Sequence, residues 1–245
     1  VKFGDMYANP LCLAHHLYLG DIEITELEVP DGVASIDSYA FYGSKIQSLT
    51  LPDTVKAVGD YAFASCSSLQ NLDLGNGELT VGSYVVNNDN ALTKLVLGEN
   101  IIRISPTAFY GCYYLTELEY NIISYPDLTT SERWFNQLGK NGNGVKLVIG
   151  DRVKNIPAYL FYTNDSNLSY QNKITSVSGG NALESIGRCA FYYCGSLKEA
   201  SLEGILESIG NYAFYYCGSL NTFDARICGD IGYSAFNSTG KLEGI

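Results

Sequence analysis

The chain has 245 residues, twenty-six of them acidic and fifteen basic, for a formal charge of −11. The basic residues never cluster, which argues against a surface that tracks nucleic-acid phosphates. No run approaches the roughly 18–20 apolar residues needed to span a bilayer, so this segment is not expected to insert into a membrane. An acidic balance of this kind chiefly keeps a protein in solution.

Residues 1–23 carry no repeat and read as an irregular N-terminal segment, opening on Val1 with no basic-then-apolar leader. From residue 24 to the end the sequence is periodic. The recurring mark is an aromatic preceded by a small or apolar residue: Ala40-Phe41, Ala62-Phe63, Ala108-Phe109, Ala190-Phe191, Ala213-Phe214 and Ala235-Phe236. Val85-Val86, Trp134-Phe135 and Leu160-Phe161 fill the same slot in weaker copies. Successive anchors lie 22, 23, 23, 26, 26, 30, 23 and 22 residues apart. Self-similarity at that period signals a solenoid of about nine coils, with the irregular ones between residues 110 and 190.

Each anchor is followed by an apolar triplet in L-x-x-L-x-L spacing. Examples are Leu69, Leu72, Leu74; Leu92, Leu95, Leu97; Leu115, Leu118, Tyr120; and Leu220, Phe223, Ala225. Ile24, Leu27 and Val29 make a copy ahead of the first anchor. The last two members alternate with polar residues, as a short half-buried strand requires. A second apolar pair, such as Leu206 and Ile209, leads into the next anchor through a turn such as Ile209-Gly210-Asn211. A lone coil cannot bury enough apolar surface to offset the entropy of ordering it, so coils must stack. By the same logic residues 241–245, which read as the start of another strand, imply an array continuing past both ends of this sequence.

The pattern I-G-x-x-A-F-x-x-C-x-x-L-x-x-L-x-L, clearest from Ile186 to Cys194 and from Ile209 to Cys217, resembles the BspA-type leucine-rich repeat. The resemblance implies a right-handed coil with a parallel β-sheet on one face and short strands, turns or short helical segments on the other. It further implies a secreted or cell-surface protein of bacterial or protozoan type, acting in adhesion to host proteins or to other cells.

The seven cysteines fit packing better than chemistry. Cys66, Cys112, Cys194 and Cys217 each lie three residues after an anchor, where Ser44 stands in the first coil. A thiol there packs as an apolar group while its S–H reaches a backbone carbonyl. Cys228 replaces a core position of the Leu206 type. Cys189 takes a slot held elsewhere by Tyr39, Tyr61, Tyr84, Tyr159 and Tyr212, so partial exposure is expected; Cys12 lies in the irregular segment. There is no C-x-x-C pair, no zinc-like Cys/His spacing, and no G-x-S-x-G, H-E-x-x-H or phosphate-loop motif. His15 and His16 are adjacent and read as surface residues. The runs Asn87, Asn88, Asp89, Asn90 and Asn164, Asp165, Ser166, Asn167 lack the regular ligand spacing of a calcium loop. No catalytic role, metal or cofactor is therefore expected.

Three surfaces are candidates for partner binding. One is the sheet face, at Ser48, Thr50, Asn71, Asp73, Lys94, Val96, Glu117, Glu119, Glu199, Ser201, Thr222 and Asp224. A second is the tyrosine set flanking the anchors, including Tyr162, Tyr192, Tyr193, Tyr215 and Tyr216. Such rings offer rigid contact area with a polar tip, or else pack coil on coil along the convex side. The third is the irregular stretch, with the single tryptophan, Trp134, and with Tyr125 and Tyr170 in or near segments 125–144 and 163–173. The expected partner is an extracellular protein. Glycan binding through the tyrosines, or a spacer role within a larger surface protein, are the alternatives.

Overall fold

The computed structural model describes residues 15–135, 137–163 and 171–242. Tyr170, Cys12 and the run 164–167 lie outside them. The described residues contain strands and turns but no helix, hence none long and apolar enough to cross a membrane.

Among the described residues seventeen strands follow one another. A hairpin of β1 (Tyr18–Leu19) and β2 (Ile22–Glu23) precedes β3 (Glu26–Glu28), β4 (Ser35–Ile36), β5 (Ser48–Thr50) and β6 (Ala57–Val58). Then come β7 (Asn71–Asp73), β8 (Leu79–Val81), β9 (Lys94–Leu97), β10 (Ile101–Ile104) and β11 (Glu117–Tyr120). The chain continues through β12 (Val145–Ile149), β13 (Asn155–Ile156), β14 (Ile174–Gly179), β15 (Ser185–Ile186), β16 (Glu199–Ile209) and β17 (Thr222–Ile231). Nine of these, β3, β5, β7, β9, β11, β12, β14, β16 and β17, pair in parallel as successive rungs of one sheet, one per coil. The fold is thus a parallel solenoid of about nine coils.

In-register pairing puts the second leucine of every triplet on the same inner line. Leu49, Leu72, Leu95, Leu118 and Leu147 are paired in sequence and buried. A second parallel ladder, β4, β6, β8 and β10, runs beside the first through the early coils. It resumes with β13 and β15, which pairs with the far end of the eleven-residue β16.

The anchors form a third line that is neither strand nor helix. The residue two before the anchor is left-handed at Tyr39, Tyr61, Tyr84, Tyr159, Cys189, Tyr212 and Ser234, with φ of 52–61°. So is the residue two after it at Ser65, Asn88, Gln137, Tyr193, Tyr216 and Ser238, and at Gly43 and Gly111. A non-glycine residue there costs about 1–2 kcal/mol, and the hydrogen bonding shows what the cost secures. The N–H groups of Tyr39, Phe41 and Gly43 donate to Asp60, Ala62 and Ala64 of the next coil at 3.0, 2.8 and 3.0 Å. The alternate N–H groups, of Ala40, Tyr42 and Ser44, donate back to Asp37, Tyr39 and Phe41 within their own turn at 3.1, 3.1 and 3.0 Å. Every other peptide therefore ties coil to coil, which no helix could do.

Inside, the anchor rings stack. Ring centroids lie 5.5 Å apart for Phe109–Phe135 and Phe135–Phe161, 5.3 Å for Phe161–Phe191 and 5.0 Å for Phe191–Phe214. The motif glycine is needed for the same close spacing rather than for a turn. A Cβ on Gly210 would sit 2.4 Å from the backbone N of Arg188, and one on Gly187 2.3 Å from that of Ala158.

The cysteine column behaves as expected. The thiols of Cys66, Cys217 and Cys194 donate to the carbonyls of the preceding anchors Phe41, Phe191 and Phe161 at 3.0, 3.1 and 3.7 Å. Burial pushes the Cys66 and Cys217 thiols up to about 12 and holds Cys112 and Cys194 well above the usual thiol range. Two cysteines depart from expectation. Cys189 is buried, because the rings of the neighbouring coils rise around its short side chain. Cys228 is exposed, because a register shift in the β16–β17 pairing sets Ile227, not Cys228, opposite Leu206.

In the third coil the cysteine slot holds Asp89, which is buried rather than offered to a cation. Its Oδ1 accepts the N–H of Cys66 at 2.6 Å, while Oδ2 is buried with no partner. Asn172 repeats this arrangement, accepting the N–H of Leu138 at 2.8 Å but also donating its amide to the Phe161 carbonyl at 3.2 Å. Burial raises the Asp89 carboxyl well above its ordinary value, so the folded chain keeps a proton that the unfolded chain releases near pH 4. Stability from this group is greatest below that pH and declines as pH rises towards the folded value.

Two outcomes follow. Asp89→Asn should raise stability at pH 7, because the amide is neutral without taking up a proton on burial, with the gain shrinking towards pH 4 in urea denaturation. Gly210→Ala should lower the urea midpoint by an amount equivalent to about 1–3 kcal/mol, since the added methyl must separate two backbones.

Candidate functional site

The sheet face is acidic and shallow. Register places Glu26, Glu28, Asp73, Glu117, Glu119, Glu199 and Asp224 on it, against Lys94 and Lys146. Lys94 is already bound, at 2.8 Å to Glu117 and 2.5 Å to Glu119, and this pairing lowers the Glu117 carboxyl. The hollow around Lys94, Asn71 and Ser48 is only about 230 Å³. A polar hollow of about 450 Å³ near the chain's last third is lined by small side chains with Lys173 and Lys198.

The anchor side is different in kind. Residues flanking the anchors recur at fixed offsets from coil to coil, so one residue type at one offset builds a column. In the first three coils Tyr39, Tyr61 and Tyr84 stack at 5.2 Å, with ring planes 2° and 18° apart. In the later coils Tyr162, Tyr192 and Tyr215, each directly after its anchor, form a row: Tyr162 meets Tyr192 at 5.2 Å with planes tilted 35°, and Tyr192 stacks on Tyr215 at 5.1 Å. Beside them Tyr193 and Tyr216 stack at 4.7 Å with planes 1° apart. Tyr216 is 43% exposed and Tyr233, at the edge of the field, 71%.

Between the columns lies a groove of about 430 Å³. Tyr162, Tyr192 and Tyr215 form one wall; Tyr159, Cys189 and Tyr212 form the other, with Arg188 and Thr130 at its rim. Tyr159 meets Tyr162, and Tyr212 meets Tyr215, edge to face at 5.4 Å in both coils. Arg133, tied by its Nε to the Thr130 carbonyl at 3.0 Å, lies 5.8 Å over the Tyr162 ring. Burial raises the phenols of Tyr162 and Tyr192, the latter to about 12, so these two keep their hydroxyl protons through the physiological range. Arg188 is its one formal charge, and no ion pair engages it among the described residues.

A model of the BspA-type leucine-rich-repeat region matches residues 14–131 and 140–245, in six copies. The chain belongs to the BspA-type leucine-rich-repeat family. No curated protein sequence matches it significantly. Solved structures similar to this family member include the leucine-rich repeat protein TpLRR of T. pallidum, 18% identical with a TM-score of 0.37 over 90% of this chain and 78% of that one. A leucine-rich repeat protein of Bacteroides ovatus is 18% identical at 0.36, over 87% and 76%. The pneumococcal vaccine antigen PcpA is 17% identical at 0.35, over 91% and 62%.

Of the expected contact residues, the two on the irregular coil serve its interior. Trp134 is 1% exposed and stands in the core, so it offers no surface to a partner. Tyr125 packs its ring edge-on against Trp134 at 4.7 Å. Its hydroxyl accepts the Ile104 N–H at 3.2 Å, and its backbone bonds both side-chain amide atoms of Asn155 at 2.8 and 3.2 Å. It thereby bridges the break in the second ladder between β10 and β13. Tyr162, Tyr192, Tyr193, Tyr215 and Tyr216 do come together on one side. Their rings meet coil on coil, and all five remain at least partly exposed. Arg188, Tyr159 and Tyr212 complete the groove and were not among the expected contacts. The recurring tyrosine two before the anchor was the available signal for the last two.

Tyr192→Ala, which removes two stacks, should destabilise by about 1–3 kcal/mol, whereas Tyr216→Ala, with one exposed stack, should cost about 0.5–1.5. Chemical denaturation of the two variants checks the order.

Proposed function

We propose that the chain is a non-catalytic adhesion module, secreted or displayed at a cell surface, that binds an extracellular protein of a host or neighbouring cell through its tyrosine side. The observation carrying this reading is the field of partly exposed tyrosines around the 430 Å³ groove in the later coils. Tyrosine is enriched at interface centres because its rigid ring adds contact area at little entropic cost. Here the coil-to-coil stacks have already immobilised the rings, so binding need not order them. The acidic sheet face is a poorer candidate, its central lysine being neutralised within the sheet. The family's non-catalytic, surface-associated character supports the same reading.

The test is binding of the intact chain to immobilised extracellular-matrix proteins and to neutral oligosaccharides. A protein ligand is expected. The double variant Tyr216→Ala/Tyr233→Ala should weaken it at least tenfold, and Glu117→Ala/Glu119→Ala should leave it within twofold. Binding to no protein, or loss only with the sheet-face variant, overturns the reading.

A further inference from the structure

The position two residues before the anchors holds Tyr39, Tyr61, Tyr84, Tyr159 and Tyr212, but Thr107, Arg133, Cys189 and Ser234 in the other coils. Of these four, Cys189 alone has a tyrosine in the coil on each side. Coils on either side contribute Tyr159 and Tyr212, and the coil between them contributes Cys189, which lines the groove and is itself buried. The backbone does not change at the substitution. Cys189 has φ 54°, against 61° at Tyr159 and 59° at Tyr212. The N–H ladder also runs on, from Tyr159 to Arg188, from Cys189 to Asn211 and from Tyr212 to Tyr233, each at 3.0 Å. The coil rise there, measured by the Phe161–Phe191 and Phe191–Phe214 stacks, is 5.3 and 5.0 Å. Tyr159 and Tyr212 are therefore about two strand spacings, roughly 10 Å, apart, which is the room one aromatic ring takes in this lattice. The filled column Tyr39–Tyr61–Tyr84 shows the result when the middle coil supplies its own ring: a continuous stack at 5.2 Å.

We infer that the notch at Cys189 receives one aromatic side chain from a partner protein, presented on an acidic segment. The inference rests on the reading of the tyrosine side as the adhesion surface and names what that surface grips. The ring follows from the vacancy, with Tyr159 and Tyr212 on either side and the Tyr192 column behind. The acidic setting follows from Arg188, which lines the groove, is exposed and has no carboxylate partner among the described residues. In a chain of charge −11 that unpaired cation favours an anionic neighbour to the bound ring. The ring then gains two faces of aromatic contact that the protein has already ordered.

The experiment uses the whole chain and a capped pentapeptide with one tyrosine between two glutamates, followed by backbone amide shifts in NMR. Saturable shifts confined to the coils of Tyr159, Arg188 and Tyr212 are expected. Replacing the peptide's tyrosine by alanine, or its glutamates by lysine, should weaken binding at least tenfold. Cys189→Tyr, which restores the column, should abolish binding while raising the melting temperature. Arg188→Glu, on an exposed side chain, should weaken binding at least tenfold, and it decides the matter if Cys189→Tyr does not fold. No saturable shift, binding that survives in folded Cys189→Tyr, or occupation of the groove by maltohexaose but not the peptide overturns the assignment. Matrix-protein binding unchanged in Cys189→Tyr overturns the notch alone; peptide binding without any matrix-protein binding overturns the adhesion reading alone.

Discussion

Everything in this molecule is subordinate to the spacing of roughly 5 Å at which one coil's backbone hydrogen-bonds the next. Three lines of each coil meet that spacing in different ways. The triplet leucines do so with ordinary parallel strands, and the second apolar pair with a shorter ladder. The anchor segment alternates left- and right-handed residues so that every other N–H leaves the coil. The third solution is costly for tyrosine, cysteine and serine, yet it recurs in most coils because an unsatisfied N–H in the stack would cost more. Glycine before the anchor, at Gly187 and Gly210, follows from the same demand, since a Cβ there would meet the backbone of the neighbouring coil.

A fixed coil spacing turns sequence offsets into columns, and columns explain residue choices that look arbitrary singly. Phenylalanine at the anchor can stack on its copies at the coil rise. A thiol three residues later packs in the interior and still reaches a carbonyl. Where the column changes, a neighbour compensates: Asn172 supplies the polar contact in the long coil that follows Phe161. Asp89 is the incomplete compensation, satisfying one N–H while leaving an oxygen buried.

The irregular coils follow the same constraint from the other side. Extra residues between Phe109 and Phe191 break the second ladder, and the break is closed by side chains, with Tyr125 and Asn155 doing what backbone does elsewhere. Trp134 fills the widened interior. Irregularity here is repair within the stack, and the groove forms beside it, where Thr130 and Arg133 of the disturbed coil abut the regular tyrosine columns. One of the departures from the column, cysteine for tyrosine at position 189, lies within that groove.

The sequence by itself determined the architecture, because periodicity is a one-dimensional signal and stacking is the only way such coils bury their apolar faces. The anchors, the leucine line and the thiol slot were all legible at Phe41, Leu49 and Cys66. The tertiary structure alone decided which side chains face out. Trp134 and Tyr125 look like contact residues in a list of aromatics, yet the lengthened coil needed them inside. Cys189 and Cys228 exchanged their expected exposure because neighbouring rings bury the first and a register shift expels the second. Those outcomes depend on how adjacent coils register against each other, and register is set by packing across the stack rather than by spacing along the chain.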